Sequence, residues 1–283
     1  MSEFILLADA LRDATTALSA VSETPRLDAE LLAAWALQMD RRDMLMRIRD
    51  LTAPDSFAKM IIRRMAHEPV AYIIGTQAFW DIELTVTPDV LIPRSDSETL
   101  IEAAQKSFAG TDGPQHILDL GTGSGALLLA AMSLFPDATG TGVDASAAAL
   151  RVAQENSDRL GFGARAKFQL GDWRLAGWRD GLEAPFDLIL CNPPYIESSA
   201  ILSPMVSEYE PHSALFAGAE GLDDYRNLIP QIGDLLSSEG IAVFEIGYKQ
   251  AKNVSALAGK AGLHSELKRD LAGNPRCLTM RRC

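Results

Sequence analysis

The sequence predicts an α/β protein: a doubly wound, mostly parallel sheet with a small N-terminal helical domain joined to it by a β-hairpin. Three observations predict this. Residues 4–74 carry apolar side chains at three- and four-residue spacing, a short stretch after them switches to alternation, and from residue 116 short apolar runs alternate with helical segments. A chain of 283 residues, 47% of them hydrophobic, is long enough for one large core and one small one. We therefore expect a helical domain over residues 1–75, a hairpin linker over 76–94 and an α/β domain over 95–283.

The helical domain is read from Phe4, Leu7, Ala8 and Leu11, from Leu27, Leu31, Leu32 and Trp35, and from Ile61, Ile62 and Met65. That periodicity belongs to amphipathic helices, four or five of them. Pro25 and Pro54 stand where helices can begin, with Thr24 and Asp55 beside them as residues suited to a helix start. Across residues 77–93, FWDIELTVTPDVLIP sets Ile82, Leu84 and Val86 alternately with polar residues, as in a half-buried strand, and Pro88-Asp89 is the expected hairpin turn. A helix is expected to start near Ser95, its hydroxyl capping the end and Glu98 completing a capping box three positions on.

The sheet is read from HILDLG followed by ALLLAAMSLF, TGTGVDAS followed by AALRVAQENSDRLG, then AKFQLGDW, FDLILCNPPY, GIAVFEIG, and a last pair near Glu266 and residues 276–281. Strands alternating with helices of this length make a mostly parallel sheet covered on both faces. Ligands of such sheets bind at the carboxyl ends of the strands, near the point where strand order reverses. Every motif singled out below falls at such an end.

A formal net charge of -12 argues against a protein that grips bare nucleic acid through its phosphates, because that affinity comes from Lys and Arg displacing counterions. Cys191, Cys277 and Cys283 form neither a disulfide framework nor a zinc pattern, and the four histidines are scattered, so no metal site is expected and a reducing compartment fits. The N-terminus mixes acids and an Arg among its apolar residues, unlike a signal peptide, and no run is long enough to span a bilayer. A cytoplasmic monomer is expected.

Gly121, Thr122, Gly123, Ser124 and Gly125 follow a strand and open a helix, so the backbone there can turn tightly and approach a nucleotide-like cofactor. The same spacing also satisfies the permissive dinucleotide fingerprint. Asp144 ends the next strand, where a carboxylate can accept both hydroxyls of a ribose; capping a helix is its plainer use. After the third strand, Asp172 can accept from an exocyclic adenine amine, and Trp173 can either cover the ring or serve as core.

Asn192-Pro193-Pro194-Tyr195, directly after FDLILC, is the most specific feature of the chain. The Asn192 side-chain oxygen and the Pro193 carbonyl can each accept one N–H of a planar NH₂ group, which fixes the nitrogen and favours positive charge building on it. Pro193 and Pro194 stiffen the loop, and the Tyr195 ring can lie against a flat substrate and stabilise cationic character. An amide nitrogen is a poor nucleophile, so alignment with an electrophile is the main task; alignment can supply roughly 7 to 11 kcal/mol of barrier reduction.

With these residues in view, the chain resembles the protein-(glutamine-N5) methyltransferases of the HemK/PrmC type. The likeness runs through EPVAYIIGTQAFWDIELTV, LIPRSDSE, DLGTGSGA, GVDAS, GDW, NPPYI and FEIG. It implies a Rossmann-like class I methyltransferase sheet and S-adenosyl-L-methionine as cofactor, leaving S-adenosyl-L-homocysteine. It also implies a release factor as partner, whose Gly-Gly-Gln glutamine is methylated. By the resemblance, the glycine loop, Asp144, Trp173 and Asn192 bind the cofactor, and Asn192, Pro193, Pro194 and Tyr195 bind the glutamine. Asp172 is assigned from position alone. Ser95 stands where the family usually has proline, while Arg94, Asp96 and Glu98 remain. Arg41, Arg42, Arg47, Arg49, Lys59, Arg63 and Arg64 offer a basic stretch to an acidic partner, or simply a solvated helix face.

Other classes share parts of this pattern. An adenine-N6 methyltransferase presents the same acceptors to an exocyclic NH₂ but needs a groove-binding surface and base flipping, which the acidic balance disfavours. A nicotinamide-dependent dehydrogenase explains the glycine loop and leaves Asn192 to Tyr195 without a role. A non-catalytic cofactor-binding adaptor differs from an enzyme by showing no turnover.

Overall fold

The computed structural model describes residues 5–183 and 185–283; Phe4 of the first periodic set lies outside them. The chain divides into two compact units, one comprising the residues up to Thr76 with Leu202–Tyr209, the other Gln77–Ile201 with Glu210–Cys283.

Up to Thr76 the described residues of the first unit form α1 (Leu7–Leu18), α2 (Pro25–Ala36), α3 (Arg41–Met46), α4 (Asp55–Met65) and α5 (Val70–Ile74). Pro25 opens α2 at a position whose N–H would have no helical partner, and Pro54 precedes α4. Leu7, Leu11, Leu18, Leu32, Met44, Phe57 and Ile61 make the core. The apolar stripes are not all inward, however. Leu27 and Trp35 of α2 are exposed, as are Ile62 and Met65 of α4. The inner face of α2 is made by Ala29, Leu32 and Ala33 instead, and neighbours such as Ile61 and Ile62 cannot share one face of a helix.

Charge is buried in their stead. Asp28 accepts from Arg64 Nε at 2.7 Å and from the hydroxyls of Ser22 and Thr24, and Glu30 is held by Arg26 and by Arg41 at 2.6 Å. Removing one member of a buried pair such as Asp28–Arg64 typically costs about 3 to 5 kcal/mol. Arg41 and Arg64 of the basic stretch, together with Arg63, which pairs with Glu68, are thus engaged inside their own unit.

The second unit begins with a two-stranded ribbon, β1 (Thr76–Phe79) and β2 (Ile82–Thr85). Its turn falls at Trp80 and Asp81, with Trp80 at φ 54°, rather than at Pro88-Asp89. The reason is burial: Phe79 and Leu84 are both in the core, and the Trp80 N–H is held by Glu98 Oε1 at 3.0 Å. Pro88 and Asp89 form a separate turn closed by Val90 N–H to the Thr87 carbonyl. Helix α6 (Glu98–Ser107) follows a single 3-10 turn, Ser95–Ser97. The expected capping box does not form, because Ser95 makes no cap and Glu98 turns to Trp80.

The remaining elements are β3 (His116–Leu120), α7 (Ala126–Leu134), β4 (Thr139–Asp144), α8 (Ala147–Arg159), β5 (Ala166–Leu170), β6 (Phe186–Cys191), α9 (Pro204–Ser207, in the first unit), α10 (Asp223–Leu235), β7 (Leu236–Glu245), α11 (Ala251–Lys260), β8 (Leu263–Arg269) and β9 (Pro275–Arg282). The seven strands from β3 onward run in the order β5-β4-β3-β6-β7-β9-β8. Pairings from β5 to β7 are parallel, and β9 is antiparallel to both neighbours. Order reverses between β3 and β6, so a crevice opens beyond their carboxyl ends.

Leu100, Ile101 and the almost wholly buried α7 belong to one core cluster, with Phe79 and Leu84 of the ribbon. Leu228, Ile229 and Ile232 of α10 and Val254 of α11 belong to the other. Each fully buried Leu or Ile contributes about 1.5 to 3 kcal/mol relative to exposure. Among the described residues no helix is long and apolar enough to cross a membrane.

Candidate active site

A cavity of about 340 Å³ opens at the carboxyl edge of the sheet. It brings together Gly121, Thr122, Gly123, Ser124, Asp144, Asp172, Trp173, Asn192 and Pro194 from four successive strand ends. Gly125, Pro193 and Tyr195 stand behind its wall: Gly125 starts α7 at φ 84°, Pro193 is buried, and Tyr195 packs against the core.

The glycine loop is fixed from the next strand. The N–H groups of Gly121 and Thr122 donate to the Val143 carbonyl at 2.8 and 3.0 Å, and that of Gly123 donates to Asp144 Oδ2 at 2.9 Å. At Gly121, φ is 75°, and a Cβ would lie 3.2 Å from the Trp173 ring, so this position needs glycine for conformation and for space. Asp144 also accepts from Ser146 N–H at 2.8 Å. Burial raises its pKa, and the N–H groups of Ser146, Gly123 and Ala145 oppose the rise. Beneath the loop, fully buried Asp119 accepts from the Thr122 hydroxyl at 2.7 Å, while its Oδ1 meets no hydrogen-bond geometry among the described residues. Desolvation pushes the Asp119 carboxyl up to about 7. Asn156 of α8 braces the loop, donating to the Ser124 and Thr85 carbonyls at 2.9 Å each.

Trp173 lines the cavity and also belongs to the core. Its Nε1–H donates to Asp224 Oδ1 at 2.7 Å, and Arg174 clasps the same carboxylate at 3.0 and 3.1 Å. The indole is thereby locked in orientation. Asp172 accepts from the Arg174 N–H at 2.9 Å, which shapes the loop and leaves the carboxylate on the cavity wall.

The Asn-Pro-Pro-Tyr loop is held from several elements. The Tyr195 hydroxyl donates to Glu245 Oε1 at 3.1 Å, and Gln250 Nε2 donates to the carbonyls of Tyr195 and Gly221 at 3.0 Å each. A Cβ on Gly221 would lie 2.2 Å from the Tyr195 carbonyl oxygen, so the loop passes where only glycine leaves room. Ser97 donates to Glu245 Oε2 at 2.5 Å, and Asn192 Nδ2 stands 3.5 Å from Ser97 Oγ. Burial raises the pKa of Glu245; burial and the Glu245 charge raise that of the Tyr195 phenol, which is therefore neutral near pH 7. Arg94, on the cavity wall, grips buried Glu210 at 2.5 and 2.7 Å.

Reading the sequence for sites missed Ser97, Asp224, Glu245, Gln250 and Asn156. Glu245 carried a signal: a carboxylate closing an otherwise apolar strand, VFEIG, is costly unless paired. For Asp224 and Gln250 no local pattern exists, since their partners come from distant segments. The assembled wall offers fixed acceptors, a flat indole and tightly turned backbone. That set suits holding a nucleoside-like ligand beside a planar NH₂ group.

Known proteins resemble this chain in sequence and in fold. Residues 9–75 match the PrmC N-terminal domain and residues 112–260 a methyltransferase domain. The release factor glutamine methyltransferase of Rhodospirillum rubrum is 42% identical, over 92% of this chain and 80% of its own. That of Moorella thermoacetica is 40% identical over 96% of both chains. A crystallised methyltransferase from Pyrococcus furiosus, 17% identical, superposes with a TM-score of 0.51 over 79% of this chain and 97% of its own, a likeness of fold. With identity of this level along nearly its whole length, the chain belongs to the release factor glutamine methyltransferase family.

Proposed function

We propose that this protein transfers a methyl group from S-adenosyl-L-methionine to the side-chain amide nitrogen, N5, of the glutamine in the Gly-Gly-Gln motif of peptide chain release factors. The observation that carries the reading is the meeting, on one cavity wall, of the glycine loop, Asp144, Trp173 and Asn192. The residues fit the cofactor chemically. Backbone without side chains at Gly121 can approach it, the Asp144 and Asp172 carboxylates can accept from ribose hydroxyls and an adenine amine, and Trp173 offers an apolar face. When bound, S-adenosylmethionine supplies an electrophilic methyl on a sulfonium.

The chain's own residues then align and hold. Asn192 Oδ1 and the Pro193 carbonyl each accept one amide N–H, which points the nitrogen at the methyl and favours the positive charge that gathers on it. Held there, S-adenosylmethionine would give up its methyl to that nitrogen as its carbon–sulfur bond breaks and would be left as S-adenosylhomocysteine. The N-methylated amide, briefly cationic, is acidic enough to give its proton to water without a dedicated base. Tyr195 stays a neutral phenol bound to Glu245 and braces the loop from behind the cavity wall.

Residues 1–75 are the part we assign to recognising the body of the release factor, with 76–94 as the linker and 95–283 as the catalytic domain. The protein acts as a cytoplasmic monomer and has no need of sequence-specific nucleic acid binding. The test is mass spectrometry of a purified release factor after incubation with enzyme and cofactor. A gain of one methyl, localised by fragmentation to the motif glutamine and absent with Asn192→Ala, is expected. Methyl on any other side chain would overturn the assignment.

A further inference from the structure

Outside the four strand ends, one group stands out: a carboxylate, Glu245, buried to 1% exposure at the end of β7 and tied to the reactive loop by two hydroxyls. We infer that Glu245, acting through the Ser97 hydroxyl, decides which end of the Asn192 amide faces the cavity and so makes that side chain an acceptor. Both are positioning residues, and the inference rests on the reading of Asn192 given above.

Donors and acceptors around Ser97 fix the orientation. An ionised carboxylate only accepts. Oε1 of Glu245 takes the Tyr195 O–H, and Oε2 takes the Ser97 O–H at 2.5 Å, the length of a charge-assisted bond. Ser97 has a single hydrogen, so with it committed to Glu245 its oxygen can offer only lone pairs. Asn192 is the neighbour that meets those lone pairs, 3.5 Å away through Nδ2. Turned the other way, the amide would set Oδ1 against an oxygen with no hydrogen left to give. Which atom of an amide is oxygen follows from just such a network. With Nδ2 turned toward Ser97, Oδ1 is the atom left for the cavity.

The consequence is selective. An inverted Asn192 would present N–H groups to a substrate NH₂, donor against donor, and would both lose an acceptor and add a repulsion. Two features keep the relay in its working state. Ser97 and Glu245 are nearly inaccessible to water, so no solvent competes for the hydrogen. The Arg276 charge lowers the Glu245 pKa against the larger rise that burial causes.

The experiment uses the full chain as Ser97→Ala, Ser97→Thr, Glu245→Gln and Asn192→Ala. Turnover on a release factor is measured beside calorimetric affinity for S-adenosylhomocysteine. Ser97→Ala should lower kcat by about ten- to a hundredfold while product affinity changes less than about threefold, because the fault lies in substrate alignment. Ser97→Thr, which keeps the hydroxyl, should recover most of that loss, and Glu245→Gln, whose amide can donate to Ser97 and release its hydrogen, should match Ser97→Ala. The relay is overturned if Ser97→Ala keeps kcat within about twofold of wild type, or if Ser97→Thr falls as far as Ser97→Ala, which would indicate packing alone. Should Glu245→Gln not fold, the two Ser97 variants still decide. An active Asn192→Ala would instead sink the underlying reading of Asn192, whereas an inactive Asn192→Ala beside a fully active Ser97→Ala would remove only the relay.

Discussion

Gly221 and Tyr195 set the tightest steric limit on the loop that carries Asn192. A methyl at Gly221 would stand 2.2 Å from the Tyr195 carbonyl oxygen, at a backbone φ of 65° that disfavours any side chain. Gly221→Ala is therefore expected to lower stability by about 1 to 3 kcal/mol and to reduce turnover with it; denaturant unfolding and a methyl-transfer assay measure the two effects. An unchanged kcat would show that the loop tolerates displacement. Asp119 makes a prediction of the opposite kind. Its folded-state pKa of about 7 lies above the unfolded 3.8, so the native state holds this proton more tightly. The stability so gained is complete below about pH 3.8 and is lost as pH rises through about 7. Asp119→Asn removes the ionisation, so its stability relative to wild type should rise by roughly 2 to 3 kcal/mol between about pH 5 and about pH 8. A pH-independent difference would mean that the buried carboxyl does not titrate in this range.

At the scale of elements, the entry to α6 shows how sequence and structure part. Ser95 and Glu98 have the spacing of a capping box, yet Ser95 makes no cap, and Glu98 bonds the Trp80 N–H of the ribbon turn. The tertiary bond wins because Trp80, at positive φ, would otherwise leave a partly buried donor unpaired. Two variants separate these roles. Glu98→Ala should cost about 1 to 2 kcal/mol by orphaning that donor. Ser95→Pro should be neutral or stabilise by about 0.4 to 1 kcal/mol, since Ser95 opens a 3-10 turn and Arg94 before it is already extended at φ -99° and ψ 142°. Thermal melting of both variants checks the pair, and a large loss with Ser95→Pro would contradict the account of this turn. Helix α2 was harder to read for a related reason. Leu27 and Trp35 repeat at helical spacing as convincingly as Ala29, Leu32 and Ala33 do, and only the ion pairs of Asp28 and Glu30 reveal which side is inward.

Over the whole molecule, what could be read from sequence was what is local in the chain. Strands β3 and β6 are largely apolar, and each strand from β3 to β6 ends in, or is followed within a few residues by, the glycine, acid or Asn-Pro-Pro-Tyr segment it delivers to the cavity. The supporting shell was not legible in the same way. Ser97 and Glu245 are separated by 148 residues and Trp173 and Asp224 by 51, so each pair meets only through the tertiary fold. A net charge of -12 adds a global expectation: duplex DNA should be a poor acceptor at physiological salt. The most direct measurement follows transfer of labelled methyl from S-adenosylmethionine to three acceptors: a release factor, the same factor with its Gly-Gly-Gln glutamine changed to alanine, and duplex DNA. Label on the unaltered factor alone is the predicted result; equal label on the altered factor, or label on DNA alone, would contradict the glutamine assignment.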